Sequence, residues 1–225
     1  MFIVTGASKG LGKAICSRLI KNNMQVLGLA RDTSNLSFES INCDVSSADE
    51  VRSVARVIRK QKYNITGIIN AAGIASMNLA LTTPSAMAEK IVQTNLLGTI
   101  YCCQHFAPFL IRHNKGTIIN FSTIAVSLGL KGESIYTASK AGIEGFSRVF
   151  AREMADFNIS VNCIAPGPIK TDLIKGVSKK QIEKIISNQI FQKQFTPDNV
   201  CDLVEILISK RANTLSGQVF HIGGV

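Results

Sequence analysis

Acidic residues are scarce in this sequence, and long apolar runs are missing altogether. The 225 residues hold 15 Asp and Glu against 25 Lys and Arg, a formal net charge of +10. Such an excess invites a nucleic-acid reading, but no helix-turn-helix, RNP or zinc pattern accompanies it, so no nucleic-acid partner is expected. Attraction of an anionic cofactor or substrate, or simply a solvated lysine-rich surface, accounts for the charge better. The longest apolar stretch, 96–111, is broken by Gln104, His105 and Pro108, and it falls short of the roughly 20 residues a membrane-spanning helix needs. Six cysteines, at 16, 43, 102, 103, 163 and 201, lack the paired spacing of metal ligands. Their apolar surroundings suit buried reduced thiols and a cytoplasmic location. The opening "MFIVTGAS" runs straight into a strand pattern, so no signal peptide is expected. Tyrosine occurs only three times, which leaves few phenols for acid–base work.

There is also no internal repeat, low-complexity tract or linker, and one domain over 1–225 is expected. Short apolar runs at 2–5, 24–30, 39–43, 65–70, 116–122, 159–164 and 218–222 alternate with helical patterns. The helices fall at 10–22, 47–61, 84–112, 136–157, 179–190 and 197–209. The strand runs are apolar on both faces, as in "GIIN" and "VNCIA", which calls for helices on both sides of a sheet. The pattern predicts an α/β fold, a doubly wound parallel sheet of seven strands. Between the second and third strands only "RDTSNLSF" remains, too short for an ordinary helical crossover. The spacing therefore predicts that this helix is missing or reduced to a turn, leaving one end of a bound nucleotide exposed.

Thr5-Gly6-Ala7-Ser8-Lys9-Gly10-Leu11-Gly12 follows the first strand and opens the first helix. Glycines there let the backbone approach a pyrophosphate, and the helix N-terminus supplies free N–H groups and a positive dipole end. The spacing is G-x3-G-x-G rather than the usual G-x-G-x-x-G. At the end of the second strand, where an NAD site places an acid for the ribose 2′-hydroxyl, this chain has Ala30 and Arg31. With Lys9 in the loop, two cations favour a 2′-phosphate, hence NADP(H). Asp32 is the one dissenting residue, a step further on.

Tyr136 and Lys140, in "YTASK", share a helical face four residues apart. An ammonium beside a phenol is expected to lower the phenol pKa and make Tyr136 a general acid or base. Alone the pair is weak, since chance yields it in about one chain in five of this composition.

Its order among other blocks is more specific. "TGASKGLG", "CDV", "INAAG", "TNLLG", "YTASK", "VNCIAPGPIKTDL" and "LSGQVFHIGG" follow one another through nearly the whole chain. In this the sequence resembles the short-chain dehydrogenase/reductase family, in its single-domain branch. That resemblance implies a Rossmann-type domain with a lid segment at about 170–193. It further implies reduction of a carbonyl to an alcohol, with hydride passing from the nicotinamide. Asp44 and Val45 would then meet the adenine, and Asn70, Ala71 and Gly73 would support the adenosine ribose. Gly6, Ser8, Lys9, Gly10, Leu11 and Gly12 would cradle the phosphates, with Arg31 at the 2′-phosphate. Lys140 would hold the nicotinamide ribose, and Pro166, Gly167, Ile169 and Thr171 would cover the nicotinamide.

Asn95 would hold a water that relays protons from Lys140, although a purely structural asparagine is the competing reading. The family's substrate-binding serine stands thirteen residues before the tyrosine, and here that position is Thr123, with Ser122 beside it. Thr123 is expected to take the role, since neighbouring side chains near a strand end point opposite ways. The motifs are also similar to those of 3-oxoacyl-(acyl-carrier-protein) reductases. Six lysines at 170, 175, 179, 180, 184 and 193 could attract a carrier or a CoA thioester. Against this, Phe157 stands where such reductases tend to place a basic residue, with Arg112 and His113 as possible substitutes. A solvated amphipathic helix with Ile182, Ile185, Ile186 and Ile190 turned inward is the plainer reading of the lysines. The partner expected is a small-molecule carbonyl or acyl-thioester substrate, and the apolar faces of the 84–112 and 136–157 helices suggest a homodimer or homotetramer. A nucleotide-binding regulator without turnover is the rival from another class, invited only by Thr123.

Overall fold

The computed structural model describes residues 1–171, 177–212 and 214–225. Seven parallel strands lie in the order β3-β2-β1-β4-β5-β6-β7. They are β1 (Phe2–Thr5), β2 (Val26–Ala30), β3 (Ser40–Asn42), β4 (Gly67–Asn70), β5 (Gly116–Phe121), β6 (Ile159–Pro166) and β7 (Val219–Ile222). Strand order reverses between β1 and β4. In an open sheet of this kind, the crevice beyond the carboxyl ends at that reversal is where ligands bind.

Alternation along each strand divides the core in two. Ile3, Ile68 and Ile118 pack on one face with Phe106 and Leu110 of α4 (Gly98–Ile111) and Ile58 of α2 (Ala48–Gln61). Val4, Ile69 and Ile119 pack on the other, against Ile15 and Leu19 of α1 (Gly10–Lys21) and Val200 and Val204 of α8 (Pro197–Ile208). All five residues of β2 and all eight of β6 are buried, as strands covered on both faces must be.

The β2–β3 connection has no helix, as its length demanded. Phe38 fills the space instead. A Cβ placed on Gly28 would stand 2.7 Å from its ring. The α2 helix opens on Ser47, whose hydroxyl accepts from the Glu50 N–H at 3.3 Å. The α8 helix has Pro197 in its first turn, and the Thr196 N–H donates to Asn199 Oδ1 at 3.0 Å. Both starts follow from local capping chemistry.

The expected 84–112 helix is real but interrupted. It runs as α3 (Ser85–Val92), a π-turn (Gln93–Leu97) and then α4. Among the described residues three short helices also went unforeseen: 3-10 turns at Ala80–Thr82 and Lys210–Ala212, and α5 (Ala125–Leu128). The α6 helix spans Ser134–Ala155, two residues earlier at each end than its sequence pattern suggested. In the segment expected to be a lid, α7 (Lys179–Ser187) half-buries Ile182, Ile185 and Ile186, but Ile190 is 71% exposed, because the helix ends before it. Lys170, Lys179, Lys180, Lys184 and Lys193 are exposed. Lys175 and Asp172 lie outside the described residues. Among the described residues no helix is long and apolar enough to cross a membrane.

Candidate active site

Three contiguous hollows run along the carboxyl edge of the sheet. The first is lined by Gly6, Ser8, Lys9, Ala30, Arg31, Asp44 and Val45, among others. It shares Gly6, Lys9 and Gly73 with a second, of about 340 Å³, which reaches Leu11, Ala71, Tyr136, Lys140, Pro166 and Thr171. The third, about 310 Å³, shares Leu11, Tyr136, Pro166 and Thr171 with the second and adds Thr123, Gly167 and Ile169. Only Gly12, Asn70 and Asn95 of the expected residues stand outside these linings.

The glycine loop has the shape a pyrophosphate needs. Gly6 and Gly10 have positive φ, at 68° and 57°. A Cβ on Gly12 would lie 2.3 Å from the Gly6 carbonyl oxygen, so α1 can approach the loop only with glycine there. No side chain caps α1 at Lys9, so its first N–H groups face the groove, where an anion is favoured. Arg31 and Lys9 are exposed at the outer end. Asp32 folds onto its own turn, its carboxylate accepting from the Ser34 N–H at 2.9 Å. Those bonds hold its pKa below the ordinary carboxylate value. Burial would raise the pKa of Asp44, but hydrogen bonds from the Ser46 hydroxyl (2.7 Å) and N–H (3.0 Å) outweigh it and lower the value. Asn70 points into the core, donating to Asn120 Oδ1 at 2.8 Å, so it ties β4 to β5 rather than facing the groove with its side chain.

Tyr136 and Lys140 stand on α6 at the junction of the two inner hollows. Lys140 Nζ lies 5.9 Å from the Tyr136 ring centroid and donates to the Phe121 carbonyl at 2.8 Å. The expected lowering of the phenol pKa is not found. Burial pushes Tyr136 above its ordinary value and the Glu133 carboxylate adds to this, with only the Thr123 hydroxyl opposing. Lys140 is itself pulled down to about 8 by burial. Desolvation wins because the amine is turned to a carbonyl rather than to the phenol oxygen. A protonated phenol results, the form that can donate.

The two hydroxyls before the tyrosine differ in what they touch. Ser122 is buried and donates to the Glu144 carboxylate on α6. The Thr123 oxygen accepts from the Ala125 N–H at 3.2 Å, and its hydroxyl lies beside the Tyr136 phenol, so both can turn their protons to one oxygen in the cavity. Asn95, fully buried in the π-turn, spends its amide on protein partners. Its oxygen accepts from the Ile74 N–H at 2.8 Å, and its nitrogen donates to the Ile74 carbonyl at 2.9 Å and Ser139 Oγ at 3.1 Å. Gly73 sits between it and the lysine. A Cβ there would lie 3.2 Å from Asn95 Oδ1 and 3.5 Å from Lys140 Nζ. Glu133, Ser139 and Glu144 were missed by sequence reasoning. An acid near a helix start is an ordinary cap, and nothing in the order of residues singles out Glu133.

A dinucleotide groove at the strand-order reversal, leading to a phenol, an amine and a hydroxyl, defines a Rossmann-type oxidoreductase using a nicotinamide dinucleotide. The family model for the short chain dehydrogenases matches residues 1–182. A 3-oxoacyl-(acyl-carrier-protein) reductase FabG from Buchnera aphidicola subsp. Acyrthosiphon pisum is 31% identical, covering 98% of this chain and 94% of its own. The FabG of Staphylococcus epidermidis is 30% identical over 99% and 96%. Among solved structures, the Thermoplasma acidophilum aldohexose dehydrogenase superposes with a TM-score of 0.89 at 29% identity, over 99% of this chain and 92% of that one. A 4-hydroxyisoleucine dehydrogenase complexed with NADH gives 0.92 at 26%, over 99% and 97%. The chain belongs to the short-chain dehydrogenase family.

Proposed function

We propose that the protein is an NADPH-dependent reductase of a ketone carbonyl. The observation carrying this reading is that Thr123 and a protonated Tyr136 line one cavity, beside the groove that the glycine loop begins. When bound, the nicotinamide supplies the hydride. Thr123 and Tyr136 hold the carbonyl oxygen between two donors, where they oppose the charge that develops on it. Tyr136 gives the proton as general acid. Lys140 would hold the nicotinamide ribose, and its charge, 5.9 Å from the Tyr136 ring centroid, favours the phenolate left behind. Asn95 shapes the Ile74 loop beside Lys140. Gly10, Asp44, Val45, Ala71, Gly167, Ile169 and Thr171 complete the cofactor cradle.

Preference for NADPH follows from Lys9 and Arg31, with Asp32 committed to its turn. One solved neighbour is described with NADH, so measured cofactor choice is a direct test. The experiment is oxidation of NADPH and NADH, each at matched concentration, against a panel of ketones and acetoacetyl thioesters. A lower KM for NADPH with at least one ketone supports the reading, and a lower KM for NADH overturns the cofactor assignment. Binding without turnover on the whole panel would favour the silent regulator.

The two relatives named FabG favour a second reading, reduction of 3-oxoacyl groups on a carrier protein. Lys170, Lys179, Lys180, Lys184 and Lys193 are exposed as such docking would want. Phe157 is packed against the core instead, and His113 lies with Asn158 and Phe2 at the amino edge of the sheet, away from the cavity within this chain. Turnover of acetoacetyl thioesters far above simple ketones would select it. The same reading of the family makes the cytoplasm the natural location and a homotetramer or homodimer the natural assembly.

A further inference from the structure

The inner cavity holds one charged side chain, and apart from helping to keep Tyr136 protonated that side chain has no part in the chemistry above. Glu133 lines it together with Thr123 and Tyr136, in a wall otherwise built largely of Leu11, Met77, Ile124, Leu130, Ile182 and Ile185. No Lys or Arg among the described residues lines this cavity. The carboxylate enters no ion pair among the described residues. Although it sits at the N-cap of α6, its side chain does not cap that helix. Among the described residues its burial is uncompensated, and burial raises its pKa. An unpaired, half-buried carboxylate costs stability wherever it stands. In a substrate cavity, a donor arriving with the substrate offsets that cost.

We propose that Glu133 is a specificity-determining residue, accepting a hydrogen bond from a hydroxyl carried near the carbonyl of the substrate. The inference rests on the ketone-reductase reading and narrows it to hydroxy-ketones. Glu133 at the N-cap and Tyr136 at the third position of α6 stand one turn apart, roughly 5.4 Å along the axis. A hydroxyl one to three carbons from the carbonyl spans that interval while the carbonyl oxygen rests between Thr123 and Tyr136. An isosteric methyl in the same place would strand the carboxylate without a partner, and sites built to bond a hydroxyl reject such analogues strongly.

The test compares kcat/KM for pairs that differ only by hydroxyl against methyl. Suitable pairs are 1-hydroxypropan-2-one with butan-2-one, 4-hydroxybutan-2-one with pentan-2-one, and 5-hydroxypentan-2-one with hexan-2-one. The wild-type protein is expected to prefer the hydroxy member of at least one pair by about 10-fold or more, and Glu133→Gln to shrink that ratio about 10-fold, through KM. Glu133→Asp should retain part of the preference. Equal kcat/KM within every pair, or an equal loss on both members in Glu133→Gln, would overturn the proposal while leaving the reductase reading intact. If Glu133→Gln fails to bind NADPH, the wild-type ratio decides alone. If no ketone is reduced with either cofactor, the reductase reading falls first and this one with it.

Discussion

Lys140 is 5% exposed and its amine is held below its ordinary pKa of 10.5, at about 8. The sign of its effect on stability follows. Between about pH 8 and 10 the unfolded chain holds a proton there that the folded chain has lost, so stability rises with pH over that window. Tyr136, raised by burial, acts in the opposite sense only above about pH 10. Lys140→Met should therefore stabilise the cofactor-free protein near neutral pH by about 3 kcal/mol, flatten that rise, and abolish turnover. Urea unfolding at pH 7 and pH 9.5 measures it. A destabilised Lys140→Met would show that the bond to the Phe121 carbonyl outweighs desolvation.

At the same scale, Thr123→Ala and Ser122→Ala should separate. Loss of one donor to a developing oxyanion costs about 100- to 1,000-fold in kcat, so Thr123→Ala should fall that far with little change in stability. Ser122→Ala leaves the Glu144 carboxylate without its hydroxyl donor and should cost about 1–3 kcal/mol in stability, with kcat within a few-fold. Steady-state kinetics and thermal unfolding on both variants check this. Counting thirteen back from Tyr136 singled out Thr123 in the sequence. What each hydroxyl touches was hidden, because Glu144 is distant in sequence and meets Ser122 only once β5 and α6 pack.

Among elements, the π-turn at Gln93–Leu97 is the one with consequences for the site. Apolar periodicity showed a helix from 84 to 112, and that much was legible. The extra residue was not, since a π-turn breaks the 3.6 period by a single position, well within the scatter of side-chain choice. The turn aims Asn95 at Ile74, and two hydrogen bonds fix that loop beside Lys140, while a third ties Asn95 to Ser139 of α6. Asn95→Ala should cost roughly 2–4 kcal/mol, because it leaves buried backbone groups of Ile74 unpaired. It should also raise the KM for NADPH, as read by fluorescence titration and chemical denaturation. Unchanged stability would mean that the Ile74 groups find other partners. The glycines of the first loop were visible in the sequence, and the backbone gives each a reason: close contacts at Gly6 and Gly12 and a positive φ at Gly10.

For the whole molecule, two-sided apolar strands alternating with helices were enough to indicate a parallel, doubly wound sheet, and the short β2–β3 connection was legible from its length. The cavity wall was not, because its residues come from loops and from α7, whose sequences are free to vary around any substrate. Phe146 stacks on the buried Phe150 within the core, while on the outer face of α6 Val149 is 58% exposed. That surface suits subunit contact. Light scattering should give a mass above that of one chain, reduced towards it by Val149→Asp. A monomeric wild type would contradict the assembly.

The central claim is that Tyr136 gives its proton to the reduced oxygen. It is tested most directly by Tyr136→Phe, assayed for NADPH oxidation with whichever ketone the wild type turns over fastest. The account predicts a fall in kcat of about 100- to 10,000-fold, with NADPH affinity kept within a few-fold. Turnover within a few-fold of wild type would contradict it.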